Sequence, residues 1–359
     1  MPASPTHQAP EPTVHDLLIV GGGPVGLFAA YYAGLRQMSV AIIDSLEELG
    51  GQLTCLYPEK YIYDVAGFPK VLAKDLARSL IAQGLQYHPT LCLGQTIRRL
   101  DRDEACGCFV ITSDQAVHRA RAILLCAGAG AFQPKKLALP GADQLEGRGV
   151  YYFVKERAAF AGQRVLVVGG GDSAIDWALN LEEVARHLTL IHRRNVFRAH
   201  EHSVRRLEQT QAEILTCFEL KGFDVAADAL AGAVVEHNQT GERRHLAVDA
   251  ILVQVGFLSS LGPIREWPVE IVGHSIRVDS HMRTCTPGIY AAGDVASYEG
   301  KLKLIATGFG EAAIAVNAAK TALDPKARYF PGHSSELAGQ PAGVVVRGRH
   351  GQPAHGRAG

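Results

Sequence analysis

Two copies of one local pattern predict an α/β protein with two Rossmann-type dinucleotide-binding domains: a short apolar strand, a glycine-rich turn, a helix and a second strand. The length of 359 residues agrees, because it corresponds to about two domains. Hydrophobic residues make up 47% and charged residues 20%, which supplies apolar material for a core in each domain.

The first copy opens with Leu17-Leu18-Ile19-Val20, an apolar run of buried-strand length. It enters Gly21-Gly22-Gly23-Pro24-Val25-Gly26, and an alanine-rich helix is expected from about Val25 to Arg36. Gly21, Gly23 and Gly26 hold the three spaced positions. The first permits the tight turn, the second admits phosphate to backbone N–H groups, and the third lets the helix pack on the strand. The next strand, Val40-Ala41-Ile42-Ile43, ends in Asp44. A carboxylate there accepts hydrogen bonds from free ribose hydroxyls and repels a 2′-phosphate, so the site suits FAD.

The second copy runs from Val165-Leu166-Val167-Val168 through Gly169-Gly170-Gly171-Asp172-Ser173-Ala174 to the strand Leu188-Thr189-Leu190-Ile191. Gly169, Gly171 and Ala174 occupy the spaced positions. Asp44 stands 18 positions after Gly26, and the same step from Ala174 reaches His192, followed by Arg193 and Arg194, with Arg198 just beyond. Guanidinium groups at that place attract a 2′-phosphate through charge-assisted bonds of about 1.5–3 kcal/mol each. The second site therefore favours NADP(H) over NAD(H). A single such turn is weak evidence; two with matched spacing are strong.

Between the copies, Thr96 to Leu100, Phe109 to Thr112 and Ala122 to Leu125 are expected to form hairpin strands. Cys106 and Cys108 flank Gly107 in the hairpin turn and are expected to be inert thiols. Far downstream, Gly288-Ile289-Tyr290-Ala291-Ala292-Gly293-Asp294 reads as a strand ending in Gly-Asp, and Gly310-Glu311-Ala312-Ala313 is expected to begin the helix after it.

Formal net charge is zero, with 36 basic and 36 acidic residues, which argues against a general nucleic-acid binder. No apolar run reaches the roughly 18 residues of a membrane span. Residues 1–13 lack the basic and apolar regions of a signal peptide, so they are expected to be a flexible tail on a cytoplasmic protein. Residues 337–359, rich in Gly, Pro and Arg, are expected to be a disordered tail. The 7 scattered cysteines suggest neither a disulfide framework nor a metal site, and no C-x-x-C occurs.

Longer runs go beyond the two turns. They are Gly50-Gly51-Gln52, Leu56-Tyr57-Pro58-Glu59-Lys60, Tyr63-Asp64-Val65-Ala66-Gly67-Phe68-Pro69, Lys301 to Glu311, and Phe330-Pro331-Gly332-His333-Ser334-Ser335. With them, the chain from His15 to Glu336 resembles the pyridine-nucleotide flavoproteins that include low-molecular-weight thioredoxin reductases. Within that family it resembles the thioredoxin-reductase-like type of ferredoxin–NADP⁺ reductase. Thioredoxin reductases carry C-x-x-C shortly before the second glycine turn. The matching stretch here, Tyr151-Tyr152-Phe153-Val154-Lys155-Glu156, has no cysteine, so a dithiol relay cannot be built there.

The resemblance implies an NADP(H) domain, residues 132–256, inserted into an FAD domain of residues 14–131 and 257–336, with crossings near Phe132 and Phe257. Two short connections of this kind would permit a hinge. It implies FAD contacts at Asp44, Gln52, Tyr57, Ile97, Phe132, Asp294 and Ser335. Tyr57 would stack on the isoalloxazine, and His333 would cover it from the partner subunit of a homodimer. The implied activity is electron transfer between NADPH and ferredoxin through FAD, with flavodoxin as another acceptor and with no side chain named as catalytic acid or base. Two alternatives remain open at the level of sequence. One is a flavin-dependent reductase of a low-molecular-weight disulfide, for which Cys55 would be the nearby thiol. The other is a non-catalytic NADPH-sensing flavoprotein.

Overall fold

The computed structural model describes residues 13–333 apart from 129, 155, 227 and 228. The strand Val14–Val20 lies inside a seven-stranded sheet, parallel to Val40–Ile43 on one side and to Val117–Leu125 on the other, with Thr90–Cys92 beyond Val40–Ile43. Val117–Leu125 changes partners along its length. Its first half pairs antiparallel with Cys108–Ser113, which continues to Ile97–Asp103. Its last three residues pair in parallel with Ile289–Ala291. The chain thus leaves this sheet, builds another, and returns to complete the first, so one Rossmann-type unit is inserted into the other.

The second sheet has five parallel strands in the order Val150–Tyr151, Ala250–Gln254, Arg164–Gly169, His187–His192, Glu213–Thr216. Two of its inner strands, Ala250–Gln254 and Arg164–Gly169, carry near-continuous apolar runs because both faces are covered. The period of two still sorts the side chains. Leu166, Val168, Ile251 and Val253 join one core, while Val165, Val167, Ala250 and Leu252 join the core beneath the helix Asp172–Glu182. An antiparallel sheet of Phe218–Ala226, Ala229–His237 and Arg243–Ala247 covers the other face. The passages between the two large sheets are Ala131–Pro134 and Phe257–Ser260, which pair with each other and set Phe132 opposite Ser259.

Two expectations are corrected. The helix after the Gly-Asp strand begins at Ile305, five residues before Gly310, and runs to Leu323. Gly308 does not break it. A Cβ there would lie 2.4 Å from Val25 Cγ2, so this glycine serves the close approach of Ile305–Leu323 to the helix Pro24–Leu35. Cys106 and Cys108 are joined in a disulfide and are not inert thiols, because the hairpin turn folds them onto one side. Among the described residues, no helix is long and apolar enough to cross a membrane.

Candidate dinucleotide and electron-transfer site

The first glycine turn is held by contacts that exclude side chains. Gly21 has φ +110°, its N–H donates to Ile43 O at 2.8 Å, and a Cβ on it would meet Cys126 O at 2.3 Å. A Cβ on Gly26 would meet Gly21 O at 1.9 Å, which is why helix and turn can close only on glycine. Asp44 braces the same turn: its Oδ2 accepts from Gly22 N–H at 2.6 Å and its Oδ1 from Leu46 N–H at 2.9 Å. Burial pushes its carboxyl upward, against the pull of the backbone N–H groups of Leu46, Gly22 and Ser45. An acceptor so placed beside a cradle of bare backbone fits the ribose and pyrophosphate of FAD.

The following segment folds back over the turn. Gly51 comes so near Gly23 that a Cβ on it would lie 2.9 Å from Gly23 Cα, and the one-turn helix Gln52–Cys55 starts there. The Gln52 amide sits over Gly128, 3.4 Å from where a Cβ would project. Tyr57 is half-buried against the first core. Its phenol is pushed up to about 12 by burial, then by the carboxylates of Asp294 and Asp64. Ile97 is 91% buried, with 9% exposed, at the start of its strand. Asp294 lies in the 3₁₀ turn Gly293–Val295, and Phe132 lies on the strand Ala131–Pro134. His333 is exposed with its ring 5.5 Å from that of Phe330. Ser335 falls outside the described residues.

The turn at Gly293 rests on a group that sequence reasoning left out. Glu311 is 3% exposed, and its Oε2 accepts from Gly293 N–H at 2.7 Å. Its Oε1 accepts from Tyr298 O–H at 2.6 Å and from the Lys301 ammonium. Both Lys301 and Glu311 side chains are almost fully buried. The sequence signal was the run Lys301 to Glu311, but only folding shows that its two ends meet.

At the second turn, a Cβ on Gly169 would meet Gln254 O at 2.4 Å and Ala174 Cβ at 2.9 Å, and one on Gly170 would strike the His192 ring at 2.2 Å. A Cβ on Gly171 would meet nothing within 4 Å, leaving the side of the turn that faces the helix start open for phosphate. His192 is buried beside the turn and stacked on Phe197 with ring centroids 5.2 Å apart. Its imidazole is held below its usual value by burial and also by the nearby guanidinium groups of Arg194, Arg193 and Arg198. Arg193, Arg194 and Arg198 are exposed, and among the described residues none makes an ion pair. Their backbone is fixed all the same. Asn238 Nδ2 donates to Arg193 O at 2.7 Å, Cys217 N–H to Arg194 O at 3.3 Å, and Arg198 N–H to Gly170 O at 2.8 Å. Three cations on a rigid frame beside the turn fit a 2′-phosphate.

The two sites meet across a cleft. Gln52, Tyr57 and Lys60 face Ser173, Asp176 and Trp177 of the helix Asp172–Glu182. A ligand held at the second turn can therefore reach toward Tyr57. The stretch Tyr151 to Val154 holds no thiol; Tyr152 and Val154 are buried, and the Tyr152 hydroxyl accepts from Leu137 N–H at 3.0 Å.

Comparison with known proteins agrees with this geometry. The family described as pyridine nucleotide-disulphide oxidoreductase matches residues 15–320. A protein of Shouchella clausii named ferredoxin–NADP reductase 2 is 52% identical over 325 residues, covering 90% of this chain and 97% of its own. A ferredoxin–NADP reductase of Thermus thermophilus is 51% identical, with 90% and 97% covered. Among solved structures, the thioredoxin reductase of Lactococcus lactis superposes with a TM-score of 0.72 at 25% identity, covering 86% of this chain and 99% of that one. The bacillithiol disulfide reductase of Staphylococcus aureus shares the fold, with a TM-score of 0.66 at 17% identity and 87% and 99% covered. The chain belongs to the pyridine nucleotide-disulphide oxidoreductase family, in its ferredoxin–NADP reductase branch.

Proposed function

We propose that this protein moves electrons between NADPH and ferredoxin through FAD, and that the cleft between Tyr57 and the helix Asp172–Glu182 is where NADPH meets the flavin. FAD, when bound, supplies the chemistry of accepting a hydride and releasing its two electrons singly. The chain's own part is placement. Gly21, Gly23 and Gly26 expose backbone to the pyrophosphate, Asp44 accepts from ribose, and Gln52 and Asp294 offer polar contacts beside Tyr57. Phe132, Ile97 and Ser335 complete the FAD contacts in this reading. Gly169, Gly171 and Ala174 shape the NADPH pyrophosphate site, and Arg193 and Arg194 select the 2′-phosphate. The inserted unit comprises residues 132–256 and turns on the paired passages Ala131–Pro134 and Phe257–Ser260. The working form is a homodimer in which His333 of one subunit covers the flavin of the other.

The observation that carries this reading is the pairing of two glycine turns with opposite electrostatics, a carboxylate at one and three cations at the other, across a cleft whose nucleotide-domain wall carries no dithiol. The test is anaerobic NADPH oxidation by the yellow protein, coupled to cytochrome c with and without added ferredoxin. Strong ferredoxin dependence, with NADPH far better than NADH, is expected. Flavin bleaching with no ferredoxin effect would remove the acceptor. No bleaching would remove the enzyme reading and favour a sensor. Half-buried Cys55, in the helix just before Tyr57, supports disulfide reduction as the second reading. Under the main reading, Cys55→Ser leaves ferredoxin reduction intact.

A further inference from the structure

The hairpin turn between Ile97–Asp103 and Cys108–Ser113 carries the Cys106–Cys108 disulfide, with Gly107 alone between its ends. This bond does not close the turn. Asp103 is already paired with Cys108, and Arg102 with Phe109, in the antiparallel ladder. A cross-link over so few residues also removes little freedom from the unfolded chain, since that gain grows with loop length. A stapling role is therefore weak, and what the pair adds to the hairpin is chemical.

Its two sulfurs sit in different surroundings. Cys106 is exposed, whereas Cys108 is 1% exposed beneath the hairpin. Arg119 Nη1 lies 3.9 Å from Cys106 Sγ and 2.5 Å from Asp103 Oδ2. Arg119 Nε is buried without a hydrogen-bond partner among the described residues, so Asp103 does not satisfy the whole guanidinium. A cation beside an accessible sulfur favours its thiolate, and exposed disulfides are the exchangeable ones.

We propose that Cys106-Gly107-Cys108 is a thiol–disulfide exchange site for low-molecular-weight thiols, separate from the flavin chemistry. An incoming thiolate bonds to Cys106 Sγ, the Cys106–Cys108 bond breaks, and the electron pair leaves on Cys108 Sγ, which takes a proton from solvent. A second thiolate attacks the outer sulfur of the mixed disulfide and releases Cys106 as a thiolate beside Arg119. The hairpin gains two electrons, and two thiols become one disulfide.

The test uses the full-length, FAD-loaded protein in buffers of stepped glutathione to glutathione disulfide ratio, followed by alkylation and tryptic digestion. The fragment Asp103 to Arg119 contains only these two cysteines. It is expected to pass from unlabelled to doubly alkylated as the ratio rises, with a glutathione adduct on Cys106 at intermediate ratios. A fragment doubly alkylated at every ratio, or unalkylated even in reduced glutathione alone, overturns the proposal. In a Cys108→Ser background, Arg119→Gln is expected to slow alkylation of Cys106 at neutral pH by at least about threefold; equal rates overturn the role of Arg119. Cys106→Ser is expected to abolish exchange while leaving NADPH-dependent electron transfer unchanged. A parallel loss of both would overturn the separation of the two sites.

Discussion

Lys60 Nζ lies 2.6 Å from Asp176 Oδ2, and this pair joins the segment after Tyr57 to the helix that follows the second glycine turn. It is an ion pair across the cleft in which NADPH is proposed to meet the flavin. The Lys60 side chain is 44% exposed and that of Asp176 28%, so solvent screening holds its worth to about 0.2–1 kcal/mol. That is too little to alter folding but enough to act as a weak latch on the hinge proposed at Ala131–Pro134 and Phe257–Ser260. Asp176→Asn is expected to slow the reduction of FAD by NADPH by up to about fivefold, with the melting temperature unchanged. Stopped-flow bleaching at low and high salt checks this. Wild type should approach the variant as salt rises, and an unchanged rate at low salt removes the latch.

Arg193 and Arg194 stand on a backbone fixed by Asn238 and Cys217. Replacing either with Ala is expected to raise the KM for NADPH at least about tenfold, the factor that corresponds to roughly 1.4 kcal/mol. Turnover at saturating NADPH should be retained, because the lost contact is made equally in ground and transition states. Steady-state kinetics with NADPH and NADH decide the point. An unaltered NADPH KM, or an equal loss with NADH, contradicts the 2′-phosphate assignment.

Glu311→Ala leaves the buried Lys301 ammonium without its carboxylate and the Gly293 N–H without its acceptor. Breaking one side of a buried pair costs about 3–5 kcal/mol, which corresponds to a fall in melting temperature on the order of 10 °C in the FAD-loaded protein. FAD retention on gel filtration should fall in parallel, because the Gly293–Val295 turn carries Asp294. Lys301→Met with Glu311→Gln, which removes both charges, is expected to recover most of the stability. A single variant as stable as wild type would show that the pair is dispensable.

Asp249 accepts from the Arg164 side chain at 2.6 and 3.0 Å and from its backbone N–H at 2.8 Å. These bonds hold its carboxyl at about 2, below the ordinary 3.8. A depressed folded value means that the contribution is present above about pH 4 and lost as the pH falls through about 2. The carboxylate is well exposed, so its size after screening is under ~1 kcal/mol. Denaturant titrations of wild type and Asp249→Asn should therefore differ slightly at pH 6 and converge near pH 2. A gap that widens on acidification contradicts this sign.

Local chemistry was legible in the residues themselves. The turns at Gly21 and Gly169 were readable because a strand, spaced glycines and a helix occupy consecutive positions, and the step of 18 residues exposed the contrast between Asp44 and His192-Arg193-Arg194. Apolar runs such as Leu17 to Val20 identified buried strands for the same reason: burial on both faces removes polar residues from a short segment. One misreading was local, the Cys106–Cys108 bond, and the other arose where a residue's meaning depended on a distant neighbour. The helix expected to begin at Gly310 begins at Ile305 and so includes Gly308, a residue kept small by Val25, which is remote in sequence.

The amino-acid order alone thus determined the two turns, their opposite charges and the absence of cysteine from Tyr151 to Glu156. Tertiary structure decided what those parts face: Lys60 against Asp176, Glu311 under Gly293, His192 over Gly170, and Arg119 beside Cys106. The division has a physical cause. A turn or strand is specified by the steric and hydrophobic properties of neighbours along the chain, whereas an ion pair or a braced carboxylate is specified by a meeting that only the packed core brings about.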